Sequence, residues 1–411
     1  MKHFGWAETK LIPEVLFFQE GPGVRKWQFR ESGVKLLNGR NINDNALDLS
    51  TTSVYLSEDE ANGKYSHFLA EEGDFVIACS GITIEKFDKK SAFVKKEHLP
   101  LCMNTSTMRF KSLNENVLDI RFFNYYIRSN AFLSQLQRLI TGSAQLNFGP
   151  SHVKKIAIPL PPLEEQKLIA GILDEADRVR KKTQALIDKY DELAQSLFLD
   201  MFGDPVTNPK GWKLRTVDEC CLVTDYVANG SFASLKANVR YNYDKDFAVL
   251  VRTTDNTKGW NGNYVYVPES SFHFLSKSEL SKGDLIIANV GDPGKCFLCP
   301  DLGQPMTLGP NSILVRSLVE KLNQPYLYHL FASSSGQRMI DRICSATAQK
   351  KFNKTSFRAL EIPVPDAKTL DKFGQVIETH ERQIGYEKNQ LNKTEALFNA
   401  LLQKAFKGEL T

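Results

Sequence analysis

Residues 158–166 read Ile-Pro-Leu-Pro-Pro-Leu-Glu-Glu-Gln, and 204 positions later residues 362–365 read Ile-Pro-Val-Pro. Proline is tolerated in the first helical turn because the N–H it lacks has no partner there, and carboxylates favour the positive end of the helix dipole. Pro161-Pro162-Leu163-Glu164-Glu165 therefore predicts a helix start, and Pro365-Asp366 predicts another with Asp366 as its N-cap. The first helix is expected to run to about Phe202, before Gly203-Asp204-Pro205, and the second to about Phe406, before Gly408.

The register between the two stretches extends well beyond the prolines. From Ala144 to Phe202 there are eleven identities in 59 positions at an offset of 204, among them Gln145/Gln349, Phe148/Phe352, Arg178/Arg382, Leu193/Leu397 and Phe202/Phe406. Chance at ordinary composition gives roughly 6%, or about four. Gly5-Trp6 recurs as Gly211-Trp212, and Gly73-Asp74-Phe75-Val76-Ile77-Ala78 as Gly283-Asp284-Leu285-Ile286-Ile287-Ala288. The chain reads as two copies of one unit, with similar ends around dissimilar middles.

Those middles carry short β-branched and aromatic runs broken by Gly, Asn, Asp and Pro, such as 74–79, 264–267 and 284–289, and they predict mixed regions dominated by strands. Helical spacing predicts a helix over 117–139 and a counterpart over 324–343. Both terminal helices repeat apolar residues at 3-4 spacing. The seam is expected at Ile172, Ala176, Val179, Thr183, Leu186, Tyr190, Leu193 and Leu197 in the first. In the second it is expected at Leu370, Phe373, Ile377, His380, Ile384, Glu387, Leu391, Thr394, Phe398 and Leu401. The simplest partner for either helix is the other, and at about 1.5 Å per residue each is roughly 60 Å long. The expected fold class is α+β: two pseudo-repeated mixed domains, 1–162 and 204–365, separated by two long antiparallel coiled-coil helices, 163–203 and 366–411. His380 and Glu387 read as polar seam residues that set register rather than as a catalytic pair.

At 411 residues the chain is long enough for several domains, and 42% apolar content supplies their cores. Fifty-two Lys and Arg against 48 Asp and Glu leave +4, so nucleic-acid binding has to come from local clustering of charge. No apolar run approaches the ~20 residues of a membrane span, and 1–8 lack an apolar signal core, so a cytoplasmic location is expected. Seven cysteines, with Cys220-Cys221 adjacent, suggest reduced thiols, and Cys296-x-x-Cys299 has no second ligand pair to make a zinc site.

Catalytic signatures are missing. Gly291-Asp292-Pro293-Gly294-Lys295-Cys296 lacks the spacing and the Ser or Thr of a phosphate loop, and neither HExxH, GxSxG nor a dinucleotide-type glycine loop occurs. Duplicated domains without an active site suit a ligand with two separated sites, and duplex DNA is one. Phosphates are held by Lys, Arg and helix N-termini, while base edges are read by Arg, Asn, Gln, Ser and Thr. In the first copy, Arg25, Lys26, Arg40, Asn41, Asn43, Ser143, Gln145, Asn147 and Lys154 are the candidates. In the second they are Arg252, Thr253, Asn256, Gln349, Lys350, Lys351, Asn353 and Lys354, the last five forming the densest basic and amide cluster of the chain, flanked by Arg342 and Arg358.

The order variable region, Thr-Gly-Ser-Ala-Gln-Leu-Asn-Phe (141–148), Ile-Pro-Leu-Pro-Pro-Leu-Glu-Glu-Gln, long helix, second variable region, proline element and second helix resembles the specificity subunit of type I restriction-modification systems, over the whole chain. The second copy departs from that pattern at Asp366-Ala367-Lys368, where Glu-Glu-Gln would stand. The resemblance implies two target-recognition domains, each reading half of a bipartite DNA sequence, with a spacer set by the helices. It further implies a non-catalytic chain that joins two methyltransferase subunits and, in the restriction complex, two motor-nuclease subunits. S-adenosylmethionine, ATP and magnesium would be held by those partners, with no cofactor on this chain. The alternative is a coiled-coil interaction scaffold whose variable domains bind proteins.

Overall fold

Gly73-Asp74 and Gly283-Asp284 make the same turn in both copies. The glycines hold left-handed backbone, φ +88° and +85°, a conformation that side-chain-bearing residues adopt only with strain. Gly73 N donates to Val94 O and Gly283 N to Cys299 O, each at 2.8 Å. Asp74 accepts from Glu71 N at 2.9 Å, and Asp284 from Ser281 N at 2.7 Å. A cation on the neighbouring strand closes each turn: Lys111 lies 3.1 Å from Asp74, and Arg316 Nε donates to Asp284 at 2.7 Å. The repeat thus preserves a hydrogen-bonding job.

The computed structural model describes residues 9–140, 145–318, 322–345 and 350–410. It divides into two compact units, Met1–Thr183 with Gln390–Thr411, and Gln184–Asn389. The first contains β1 (Leu16–Glu20), β2 (Val34–Leu37), β3 (Tyr55–Leu56), β4 (Phe75–Ala78), β5 (Ser91–Phe93), β6 (Leu101–Met103) and β7 (Thr107–Ser112), followed by α1 (Ile120–Ile127), α2 (Asn130–Leu139) and the start of α3 (Leu163–Phe202). The second repeats the series as β8 (Cys221–Asp225), β9 (Ala248–Val251), β10 (Val265–Val267), β11 (Leu285–Ala288), β12 (Cys296–Leu298), β13 (Met306–Leu308) and β14 (Ser312–Ser317), with α4 (Gln324–Ala332), α5 (Ser334–Ile343) and α6 (Ala367–Ala405).

Sheet order confirms the duplication. An antiparallel sheet runs β1-β7-β4-β5 in the first unit and β8-β14-β11-β12 in the second. Beside it, β2 pairs parallel with β6 and antiparallel with β3, as β9 pairs parallel with β13 and antiparallel with β10. The second unit adds one short strand, Glu279–Leu280, on β13. The class is α+β. The proline elements are edge strands: Ala157–Pro159 pairs with Thr9–Leu11, and Glu361–Val364 with Lys213–Thr216. Proline is acceptable there because an edge strand can spare a donor. Each unit is thereby closed by its own first and last strands.

The expected single helices over 117–139 and 324–343 are each two helices. Ser129 and Ser333 break them, because each hydroxyl donates back to a carbonyl, Tyr126 O and Leu330 O at 2.7 Å, while capping the next helix by accepting from Phe132 N and Gly336 N. A serine hydroxyl that competes for backbone groups favours a cap over a helix interior. The core of the first unit sits between these helices and the antiparallel sheet, with Phe123 5.0 Å from Phe110 and 5.9 Å from Phe75. Burying each such ring is worth about 1.5–3 kcal/mol.

α3 ends at Phe202, with Gly203 left-handed behind it, and α6 opens with Asp366 Oδ1 accepting from Thr369 N at 3.0 Å. Gln166 explains its motif: fully buried, it donates to Pro161 O and Val117 O and accepts from Asp119 N. In the second copy, where Leu370 replaces it, Asn323 reaches the other way and donates to Leu370 O at 2.9 Å. Within the first unit, the start of α3 packs on the end of α6, where Arg180 covers Phe398 at 5.2 Å. Within the second, Tyr190 meets His380 at 5.2 Å and Phe202 meets Phe373 at 5.0 Å, so the segments run antiparallel.

The α6 seam follows the predicted positions, with Leu370, Phe373, Ile377 and Phe398 buried. On α3 the predicted seam is displaced. Val179, Leu186 and Leu193 are exposed, and the buried stripe is Ile169, Leu173, Ile187, Ala194 and Phe198. Two apolar stripes lie side by side on that helix, and periodicity alone does not rank them. His380 and Glu387 do not pair, since Glu387 accepts from Gln383 on its own helix. Burial, and then the charge of His380, bring His329 down to about 4, and the neutral ring lies 5.5 Å from Phe373. All seven cysteines are free thiols, and burial pushes Cys79, Cys102, Cys221, Cys296 and Cys299 up to about 12. Among the described residues, no helix is long and apolar enough to cross a membrane.

Candidate nucleic-acid interface

Three stretches far apart in the first copy meet beside the end of β4. Gly21 abuts the Asn104 backbone so closely that a Cβ would stand 2.3 Å from Asn104 O, which seats the turn carrying Arg25 and Lys26 against the 104–106 loop. Asn104 Nδ2 donates to Asn38 Oδ1 at 2.8 Å, and Gly39 N donates to Ser106 Oγ at 3.0 Å, tying down the 38–43 segment. Ser80 Oγ and Gly81 N both donate to Asn147 Oδ1, at 2.9 and 2.8 Å. A recess of about 330 Å³ lies among them, lined by Phe29, Asn38, Gly39, Arg40, Val54, Ser80 and Ser106.

Arg25, Lys26 and Arg40 are exposed, Arg40 at the recess itself, and Lys154 is exposed at the end of a short helix, Pro150–Val153. Asn43 is exposed but accepts from Lys90 Nζ at 2.7 Å, and burial together with the nearby charge of Lys86 lowers the Lys90 pKa. Gln145 pairs with Thr83 through its backbone. Asn41 has a different job. It is 1% exposed, and its amide donates to Asp48 O and Thr52 Oγ1 while its oxygen accepts from Asn38 N, so it builds the loop and offers nothing to a ligand. Ser143 lies outside the described residues.

The second unit assembles the equivalent place. Phe352 N donates to Asn289 O at 3.1 Å, as Phe148 N donates to Cys79 O at 3.0 Å in the first. Lys351 bridges Val290 through its backbone and is exposed, and Lys350 stands 3.8 Å from Asp341. Lys295 donates to Thr257 at 3.0 Å and so joins the helix Thr253–Thr257 to the same loop. Thr253 begins that helix, and Asn256 lines a neighbouring cleft.

Three candidates here are held by internal partners. Arg252 grips buried Asp255 at 2.6 Å, a bond that raises its pKa. Lys354 donates to Asp225 at 2.7 Å. Asn353 caps Lys354–Arg358 by accepting from Ser356 N at 2.8 Å. They shape the loops, and the charges of Arg252 and Lys354 are locally balanced. Gln349 lies outside the described residues.

Sequence reasoning did not single out Ser80, Lys90, Ser106 and Lys295, whereas Asn38 opens the 38–43 stretch that it read as a candidate. One signal was present: Ser80-Gly81 and Val290-Gly291 directly follow the duplicated strand, where loops of both copies had to leave the sheet.

The profile described as "Type I restriction modification DNA specificity domain" matches residues 8–189 and again 209–396. The type I restriction enzyme EcoKI specificity subunit of Escherichia coli (strain K12) is 23% identical over 400 residues, covering 93% of this chain and 83% of the relative. The StySPI specificity subunit of Salmonella potsdam is 22% identical over 433 residues, covering 99% and 89%. The MjaVIII subunit of Methanocaldococcus jannaschii reaches 30% over 197 residues, covering 47% and 45%. Among solved structures, the S subunit of a type I restriction-modification system from M. genitalium shares the fold at TM-score 0.53 and 15% identity, over 99% of this chain and 97% of that one. With two specificity domains and relatives spanning nearly its whole length, the chain belongs to the type I restriction-modification DNA specificity family.

Proposed function

We propose that this chain reads a bipartite, asymmetric DNA sequence, one unit per half, and docks methyltransferase subunits that modify the site it selects. Two motor-nuclease subunits complete the restriction complex. S-adenosylmethionine, ATP and magnesium belong to those partners, and this chain contributes recognition without chemistry of its own.

One observation carries this reading: both units build the same loop frame at the end of the same strand but furnish it differently. The bond Phe148 N to Cys79 O has its twin in Phe352 N to Asn289 O, while Asn38, Arg40 and Ser80 border one frame and Lys350, Lys351 and Lys295 the other. A common frame with unlike side chains suits two readers of unlike half-sites, because base identity is read by side chains and register by the backbone that carries them.

Exchange of residues 1–162 for the corresponding part of a relative tests it. Sequencing of modified adenines in the host genome is expected to show one half-site replaced and the other kept. A change in both halves, or in neither, would overturn the assignment of one unit to each half.

A further inference from the structure

Among the large apolar side chains left exposed, Trp27 is 73% and Phe232 is 84% accessible. They occupy the same connection of the repeat: Trp27 lies between β1 and β2, and Phe232 between β8 and β9. Neither is on a loose segment. Gln28, buried beside Trp27, accepts from Arg25 N at 3.0 Å and donates to Glu60 at 2.8 Å and to Tyr65 OH at 3.0 Å. Arg30 clamps the turn from outside, donating to Trp27 O and Phe29 O at 3.1 and 3.0 Å. Phe232 opens the helix Phe232–Asn238, secured by Ser231 Oγ accepting from Ser234 N at 3.2 Å and by buried Leu235. Each unit therefore spends rigid backbone on holding an aromatic ring out into solvent.

The surroundings indicate the partner. Residues 21–30 contain Arg25, Lys26 and Arg30 and no carboxylate, and 226–240 contain Lys236 and Arg240 and no carboxylate. Tyr243, also exposed, is flanked by Asp244 and Asp246 and does not share that setting. Phe29, two residues from Trp27, lines the recess with Arg40 and Ser80. The connection that holds Phe232 begins at Asp225, where Lys354 is anchored. A planar apolar ring among cations fits a polyanion with exposed π-faces at its interior, and a protein that inserts such a wedge unstacks a base step.

We propose that Trp27 and Phe232 are positioning wedges, each stacking on a base step at the border of its half-site while the adjacent cations hold the phosphates. This rests on the DNA-reading function above. The test uses the complex assembled with its methyltransferase subunits, and duplexes carrying 2-aminopurine stepwise through each half-site.

Trp27→Ala is expected to weaken duplex binding roughly 5- to 150-fold, the range of one lost base stack. Trp27→Phe should recover most of it. The slope of log affinity against log salt should stay as in wild type, whereas Lys26→Ala should make it shallower by about 0.9. Wild-type complex should brighten 2-aminopurine at one step of one half-site, and Trp27→Ala should abolish that signal. Phe232→Ala should do the same in the other half-site only. Trp27→Ala and Phe232→Ala that bind and brighten as wild type does would overturn the wedges and leave the DNA-reading function standing. So would variants that shed methyltransferase subunits while the remaining complex binds DNA normally, since the rings would then be protein contacts. Wild-type complex with no preference for its methylated sequence would overturn both proposals.

Discussion

Asp177 is a single carboxylate in contact with three cations. It is 7% exposed, with Arg180 at 2.6 Å, Lys181 at 2.9 Å and buried Arg128 at 3.8 Å, and Arg128 is sandwiched between Tyr125 at 5.3 Å and Phe398 at 4.8 Å. Burial pushes its pKa up, but the Lys181 hydrogen bond and the charges of Arg128, Lys181 and Arg180 outweigh that and leave it below the usual carboxylate range. Its stabilising contribution is therefore complete above the unfolded value, about 3.9, and is lost as pH falls through the lower folded value. Asp177→Asn strands Arg128 in an apolar sandwich, and a buried ion deprived of its partner costs about 3–5 kcal/mol. Urea unfolding at pH 7 should show that loss, and the variant's stability should fall less steeply below about pH 4 than that of wild type. Equal midpoints at pH 7 would mean that Arg128 is satisfied by its aromatic neighbours. The sequence does not announce this cluster, because Arg128, Asp177 and Phe398 are brought together by packing and share no motif.

Elements repeat where a hydrogen bond demands a particular residue. Gly73 and Gly283 hold φ near +90°, and a Cβ on either would meet no atom within 4 Å. Replacement by alanine thus isolates backbone strain from steric clash. Gly73→Ala and Gly283→Ala should each cost about 1–2 kcal/mol, read by thermal unfolding of the chain, with Gly283→Ala acting on the second unit. No shift in either would show that the turn adopts another conformation without penalty. This level was partly legible in advance: the proline starts and the Gly203 stop are local rules written in local residues, while the glycine-aspartate pair was legible as a repeat and not as a turn. The break at Ser129 and Ser333 was not, because serine within an apolar helical pattern can cap or continue, and the carbonyl it bonds decides which. The α3 seam was misplaced for a related reason, as Val179, Leu186 and Leu193 form a second apolar stripe beside the buried one.

At the scale of the molecule, the chain passes from one unit to the other within α3 and returns within α6. If these helices set the number of base pairs left unread between the half-sites, deleting seven residues from each removes about 10 Å of helix, the length of about three base-pair steps at ~3.4 Å. Methylation mapping is expected to recover both half-sites unchanged with a spacer about three pairs shorter. An unchanged spacer would remove the helices from that role.

The duplication, the α+β class, the paired terminal helices and the family were all determined by sequence, because they rest on residues whose roles are local: a proline that opens a helix, a glycine that ends one, an apolar period that demands a partner. Tertiary structure alone decided which polar side chains stand together. Arg40 and Ser80 border one recess because Gly21 lets two backbones touch and Ser106 grips Gly39, while Asn41, as plausible as Arg40 in the linear chain, is consumed inside its loop. Exposure and hydrogen-bond commitment are properties of the packed chain, set by residues distant in sequence, and they separate a side chain available to a ligand from one that holds the frame.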